Sequence, residues 1–197
     1  MHKFSNFTRI QVKVTVIDFH DSFTFNLVHY LEAIGAEVIV MKDGALNQVE
    51  LNVSDKIILS PGPGLPEEKQ NLYTTLEAFH QTKPILGVCL GMQGIASFFG
   101  AKLYNLPNVC HGFSSEIQIF GDSPLYNDVP SPLSVARYHS WAVDLAEDTN
   151  LTVDAVTSDG IIMSFHHIEL PIFGVQYHPE SILTQYGKKI LENFLTI

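Results

Sequence analysis

The apolar positions change rhythm repeatedly along the first hundred residues, and each change marks an element. VKVTVIDF (Val12 to Phe19) is rich in β-branched residues and predicts a buried strand. Behind it Phe23, Leu27, Leu31 and Ile34 recur at helical spacing, with Asp21 or Ser22 expected as cap and Gly35 as stop. EVIVM predicts a second strand, and KIILS (Lys56 to Ser60) a third that ends abruptly at PGPGLP. NLYTTLEAFH carries Leu72, Leu76 and Phe79 on one helical face. PILGV predicts a further strand, and GMQGIASFFG a short helix ending at Gly100. Strand and helix alternate throughout, the pattern of an open, mostly parallel sheet with helices on both faces.

The second half has a different character. EIQIF, LSVARY, AVDL, LTVDAVT and IIMSFHH are short strands separated by Gly, Pro, Asp and Ser, expected as antiparallel additions to the sheet. IFGVQ predicts another buried strand leading into YHPES, and the chain closes on a helix, YGKKILENFL. Neither repeat, low-complexity tract nor linker divides the sequence. The expectation is one α/β domain over residues 1–197, with residues 1–11 as a loose N-terminal extension.

Composition narrows the function classes. Hydrophobic residues make up 46% of the 197 residues and charged ones 16%, as in a packed globular protein. The net charge is 11 − 21 = −10, and basic runs are absent, so neither nucleic acid nor an anionic membrane is an expected partner. No stretch approaches the ~20 apolar residues of a membrane span, and Lys13, Thr15 and Asp18 break any signal-peptide core. Two cysteines, Cys89 and Cys110, do not make a disulfide framework. The cytoplasm is the expected compartment, and there a thiol stays free to react.

Gly87-Val88-Cys89-Leu90-Gly91 has the form glycine, any residue, nucleophile, any residue, glycine. A strand that turns at once into a helix strains the corner residue, and flanking glycines let neighbouring chain come close. The side chain then projects from the carboxyl end of the sheet, where open α/β folds bind ligands. The helix N-terminus favours the thiolate, and the Leu90 N–H points toward an oxyanion formed there. The pentapeptide alone leaves two readings open, a small buried hydrophobe or a nucleophile.

A nucleophile needs a base. Among nine histidines, His178 is delivered by an apolar strand to a strand end in GVQYHPES. Glu180, two residues on in an extended backbone, points to the same side and can orient the imidazole. The order nucleophile, His, acid argues against an α/β-hydrolase, where the acid precedes the histidine. Ser60-Pro61-Gly62-Pro63-Gly64 ends the third strand in a rigid, tight loop whose N–H groups at Gly62 and Gly64 can face Cys89. It lacks the Gly-Lys-Ser/Thr ending of a phosphate loop. A plain turn is the competing reading.

Taken together, IDFHDSFTFNLVHYLE, ILSPGPGLP, PILGVCLGMQGIA, YHSWAV and FGVQYHPESILT resemble the class I (triad) glutamine amidotransferases, from about Val14 to the C-terminus. The opening motif is similar to the branch that serves chorismate-using synthases, the glutaminase subunits of anthranilate synthase and of 4-amino-4-deoxychorismate synthase. The resemblance implies a flavodoxin-like core and hydrolysis of L-glutamine to glutamate and ammonia through a thioester. Cys89 would attack the carboxamide, His178 would carry the proton, and Glu180 would orient His178. Gly62 and Leu90 would supply oxyanion N–H groups. Gly62, Pro63, Gly64, Gln93, Ser140 and Trp141 would hold the glutamine.

The resemblance further implies a hetero-oligomeric partner, a chorismate-binding synthase subunit, with Mg²⁺ needed by that partner and no cofactor in this chain. His166 and His167 have no companion at ligand spacing, so no metal is expected here. Asp18, Asp21 and Ser22 are expected to shape a strand-to-helix junction near the partner, not to catalyse. The chain departs from the family pattern at Met92, where histidine is usual, at Phe113, where lysine follows His-Gly, and at Trp141, where leucine is usual. A stand-alone γ-glutamyl hydrolase is the different-class alternative.

Overall fold

Side chains that alternate between two apolar layers hold the sheet in the computed structural model, which describes residues 11–146 and 148–197. In strand β1 (Lys13–Asp18), Val14 and Val16 join one layer and Ile17 the other. Strand β3 (Lys56–Leu59) repeats the pattern, with Ile58 on the first side and Ile57 and Leu59 on the second. All six side chains are fully buried, each contributing about 2 kcal/mol of transfer free energy.

Helix α1 (Thr24–Ala33) and helix α5 (Gly187–Thr196) cover the first layer through Leu27, Leu31, Ile190 and Phe194. Helices α2 (Gln48–Val53), α3 (Leu72–Phe79) and α4 (Leu90–Phe98) cover the second through Leu51, Leu72, Leu76, Met92 and Ile95. Both faces of the sheet are thus closed, as a parallel sheet requires.

The main sheet begins β2-β1-β3-β4-β11, with β2 spanning Glu37–Lys42, β4 Ile85–Val88 and β11 Ile172–Val175. These five are parallel. Strands β10 (Ile162–His167), β9 (Leu151–Thr157), β6 (Phe113–Ile119) and β7 (Leu133–Arg137) extend it antiparallel. The central order is the flavodoxin-like one, and the chain reverses its direction of strand addition between β1 and β3.

Three local expectations need correction. AVDL is not an addition to the main sheet: it forms β8 (Trp141–Asp144), which pairs with β5 (Lys102–Asn105) in a separate two-stranded ribbon. The segment after β7 turns the chain away from the sheet before AVDL begins, and Leu106 N donates to Ser140 O at 2.7 Å to tie the ribbon's base. Neither Asp21 nor Ser22 is the cap of α1; Phe23 holds that position. Asp21 instead closes a turn one step earlier, its Oδ1 accepting from Phe23 N at 2.8 Å. Helix α2 has no counterpart in the sequence pattern, because it spans six residues and buries only Leu51. Asn47 starts it by accepting from Val49 N. Residues 1–10 of the expected loose extension lie outside the described residues. Among the described residues, no helix is long and apolar enough to cross a membrane.

Candidate active site

Strands β3, β4 and β11 are neighbours and run parallel, so their carboxyl ends open at one edge of the sheet. PGPG leaves the first, Cys89 the second, and the Gln176 to Glu180 segment the third. Val88 is in register with Val175, and Cys89 N donates to Val175 O at 2.8 Å, so the corner residue is held by the last bond of the ladder.

Cys89 has φ 52° and ψ −104°, a left-handed backbone on a non-glycine residue at the start of α4. The flanking glycines are required by close packing. A Cβ on Gly87 would lie 2.5 Å from Met92 N, and one on Gly91 would collide with the Leu59 carbonyl oxygen. Strand β3 therefore presses against the elbow. Leu90, as the first helical residue, has an N–H with no carbonyl to receive it inside the helix.

The proline-glycine loop is fixed from below. Ser60 Oγ accepts from Phe19 N at 2.9 Å and donates to Pro61 O at 2.6 Å. Gly64 takes φ +77°, which its lack of a side chain permits. A Cβ on Gly62 would meet Phe19 Cβ at 2.7 Å and Leu90 Cδ2 at 2.8 Å, so this loop sits directly beside the elbow.

A cavity of about 180 Å³ lies between these parts. It is lined by Gly62, Pro63, Gly64, Cys89, Leu90, Gln93, Ser140 and Trp141, together with Tyr138 and His139. Every residue expected to contact glutamine is in this set. The volume suits a small polar molecule and falls below the ~300 Å³ at which drug-sized sites begin. A roomier cavity, about 610 Å³, lies elsewhere: it opens between Val12, Ile34 and α5, and its lining holds neither cysteine nor histidine.

His178 and Glu180 lie behind Cys89, each 2% exposed. His178 Nδ1 and Glu180 Oε1 are 2.7 Å apart. They do not reach each other along an extended strand, as the sequence suggested. β11 ends at Val175, and His178, Pro179, Glu180 and Ser181 form a turn closed by Ser181 N to His178 O at 3.2 Å. Pro179 suits the second position of that turn because its φ is preset.

Burial works against protonating His178, but the Cys89 sulfur and the Glu180 carboxylate outweigh it and raise the imidazole well above its ordinary range. With Nδ1 engaged by Glu180, Nε2 is the ring nitrogen left toward the Cys89 sulfur, where it can take up and release a proton. Phe23 and Tyr138 pack edge-on against the ring, with centroids 5.3 and 5.0 Å away.

Gln93 is 3% exposed and spends both hydrogens of Nε2 inside the protein, on Trp141 O and Gln176 Oε1, each at 3.1 Å. Only its Oε1 remains to meet a ligand, as an acceptor. Gln176 Nε2 in turn lies 3.5 Å from Cys89 Sγ. His139 Nδ1 lies 2.9 Å from Trp141 O, and its Nε2 accepts from Arg137 Nε at 3.1 Å. Burial, with smaller contributions from Arg137 and His178 against the Trp141 hydrogen bond, lowers His139 to about 4, so it is neutral.

Phe23, Arg137, Tyr138, His139 and Gln176 were not singled out from the sequence as site residues. The signal was present for four of them, because Tyr138 and His139 belong to YHSWAV, Gln176 to FGVQYHPES and Phe23 to the opening motif. Met92 is fully buried and packs toward Gly174, so that departure concerns packing. Asp18 accepts from His20 N and Thr24 Oγ1 and serves the β1–α1 junction. Among the described residues, no group of three or more potential metal ligands occurs.

The family profile described as glutamine amidotransferase class-I matches residues 15–197. The chain is similar to anthranilate synthase component 2 of Saccharolobus solfataricus, 41% identical over 91% of this chain and 96% of the relative. It is likewise similar to the aminodeoxychorismate/anthranilate synthase component 2 of Bacillus subtilis, 39% identical over 92% and 95%. A solved structure from Thermoplasma acidophilum, described as belonging to a GMP synthase, superposes with a TM-score of 0.84 at 26% identity, covering 94% of this chain and 93% of that one. The elbow cysteine, the buried His178–Glu180 pair and a match along nearly the whole chain lead to one conclusion: this protein is a member of the class-I glutamine amidotransferase family.

Proposed function

We propose that the chain is the glutaminase subunit of a chorismate-using synthase. It hydrolyses L-glutamine and delivers the ammonia to that partner. The observation that carries this reading is the meeting of Cys89, the His178–Glu180 pair and the PGPG loop at the ends of three adjacent strands. Relatives named as component 2 of anthranilate or aminodeoxychorismate synthases support the partner class.

In this reading the Cys89 thiolate attacks the carboxamide carbon of glutamine. The oxyanion forms between the N–H groups of Leu90 and Gly62. Protonated His178 gives its proton to the leaving ammonia, and a γ-glutamyl thioester remains. His178, now neutral, takes a proton from water, whose oxygen attacks the thioester and releases glutamate. Glu180 holds the imidazole in orientation and favours its charged form. The Gln93 Oε1 acceptor can bind the carboxamide N–H of glutamine, a group that glutamate lacks. The two unpaired cysteines fit a reducing cytoplasm.

The test is glutamine-dependent product formation by the assembled complex. Cys89→Ser abolishes it while ammonia-dependent formation persists, because free ammonia bypasses the glutaminase. Undiminished glutamine-dependent turnover by that variant would end the proposal. Mixing the chain with an anthranilate and an aminodeoxychorismate synthase partner in turn identifies the product served.

A further inference from the structure

We propose that Gln176 is a catalytic residue: it donates an N–H to the Cys89 sulfur and holds the thiolate in the site. Three observations carry this. The first is contact, with Gln176 Nε2 at 3.5 Å from Cys89 Sγ, an ordinary distance for a hydrogen bond to sulfur. The second is burial, since Gln176 is 0% exposed and bulk water does not compete for its amide.

The third is polarity. A side-chain amide can face either way, but a backbone carbonyl can only accept. Trp141 O therefore requires the Nε2 end of Gln93. The other hydrogen of that nitrogen requires the Oε1 end of Gln176. Gln176 is left with its Nε2 toward the sulfur. A second donor reaches the same carbonyl from the opposite side. Arg137 has no acceptor, so its Nε must donate to His139 Nε2. The His139 proton then sits on Nδ1 and is also directed at Trp141 O. Turning the Gln176 amide over would set a carbonyl oxygen against the sulfur and an NH₂ against the Gln93 NH₂, leaving buried groups unpaired.

A neutral thiol gains little from such a donor, and a thiolate gains a charge-assisted bond. The bond acts twice in the reaction. It favours the ionised sulfur before attack. It weakens when the sulfur's electron pair forms the thioester, and it is restored when water's oxygen replaces sulfur at the acyl carbon and the thiolate departs with that pair. The proposal rests on the glutaminase reading for its catalytic consequence, but not for its contact.

The test is the rate of Cys89 alkylation by iodoacetamide in the full chain, quantified on the Cys89 peptide at pH 7 and pH 9.5. Gln176→Met keeps the bulk and removes the donor. Gln176→Asn keeps the amide and shortens its reach, and serves if the methionine variant fails to fold. Each variant alkylates about tenfold more slowly than wild type at pH 7, the loss expected for a hydrogen bond to a charged group. The gap closes at pH 9.5, where hydroxide rather than the amide donor drives formation of the thiolate. In the assembled complex kcat falls by a similar factor with KM within about twofold. Equal rates at pH 7 in a folded variant would overturn the proposal, as would a loss undiminished at pH 9.5, which indicates packing alone. Alkylation uses neither glutamine nor partner, so its outcome is separable from that of the synthase assay.

Discussion

His139 makes folding stability depend on pH in a way that one substitution isolates. Burial is the main cause of its depressed value of about 4, against about 6.5 in the unfolded chain. Between these values the unfolded state binds a proton that the folded state refuses. Stability from this group is therefore complete above about pH 6.5 and lost as pH falls toward 4. At pH 5 the unfolded histidine is almost fully protonated and the folded one almost fully neutral, so the loss relative to pH 8 is about 2 kcal/mol, from about 1.4 kcal/mol per unit over the 1.5 units separating pH 5 from the unfolded value.

His139→Asn removes the titration and keeps an N–H near Trp141 O. Its fixed packing cost is the same at both pH values and cancels. Urea unfolding at pH 8 and pH 5 checks the expectation: the wild-type advantage shrinks by about 2 kcal/mol at pH 5. That corresponds to roughly 1 M in midpoint for a slope of about 2 kcal/mol/M. Parallel behaviour of the two proteins between pH 8 and 5 would refute the reasoning, because His139 would then charge as readily folded as unfolded.

Glu180→Gln leaves the shape of the His178 contact but removes the carboxylate 2.7 Å from Nδ1, and glutaminase kcat in the complex falls by about 10²–10⁴. The same variant lowers His178 toward its ordinary range, so its remaining activity moves to lower pH on the limb set by this group. Gly91→Ala drives a methyl into the Leu59 carbonyl and destabilises by about 1–3 kcal/mol or prevents folding, read by thermal unfolding. Tyr126 and Tyr177 share one hydroxyl hydrogen bond at 3.0 Å in a buried setting. Either Phe substitution alone costs about 1–3 kcal/mol, the double substitution costs less than the sum, and a double-mutant cycle by denaturation measures the difference.

The parallel half of the fold was readable because its strands are buried on both faces and its helices carry one apolar stripe. Leu72, Leu76 and Phe79 announce α3, and Val12 to Phe19 announces β1. Gly87, Cys89 and Gly91 were legible because the elbow admits only a narrow set of residues. The β5–β8 ribbon was not, since AVDL as a pattern looks the same whether it pairs with the main sheet or with KLYN. Partner choice there depends on the turn at Tyr138 to Ser140, a tertiary matter. Helix α2 was too short for periodicity to accumulate. The His178–Glu180 contact was foreseen, but through the wrong backbone, because a strand and a proline turn both bring residues two apart together. Gln176 and His139 lie inside quoted motifs, but their roles are not legible there: the Gln93–Gln176 and Gln93–Trp141 links join positions 83 and 48 apart, and nothing local encodes such a link.

The placement of the parts divides the active centre between two sheets. Nucleophile and base follow adjacent strands of a continuous ladder, Cys89 directly after β4 and His178, its backbone N–H tied to Ala136 O, in the turn after β11. Ser140 and Trp141, by contrast, sit on a ribbon outside that ladder and reach the centre through the side-chain amide of Gln93. The wall that Ser140 and Trp141 give the cavity therefore depends on contacts made outside the strands that carry the reacting pair.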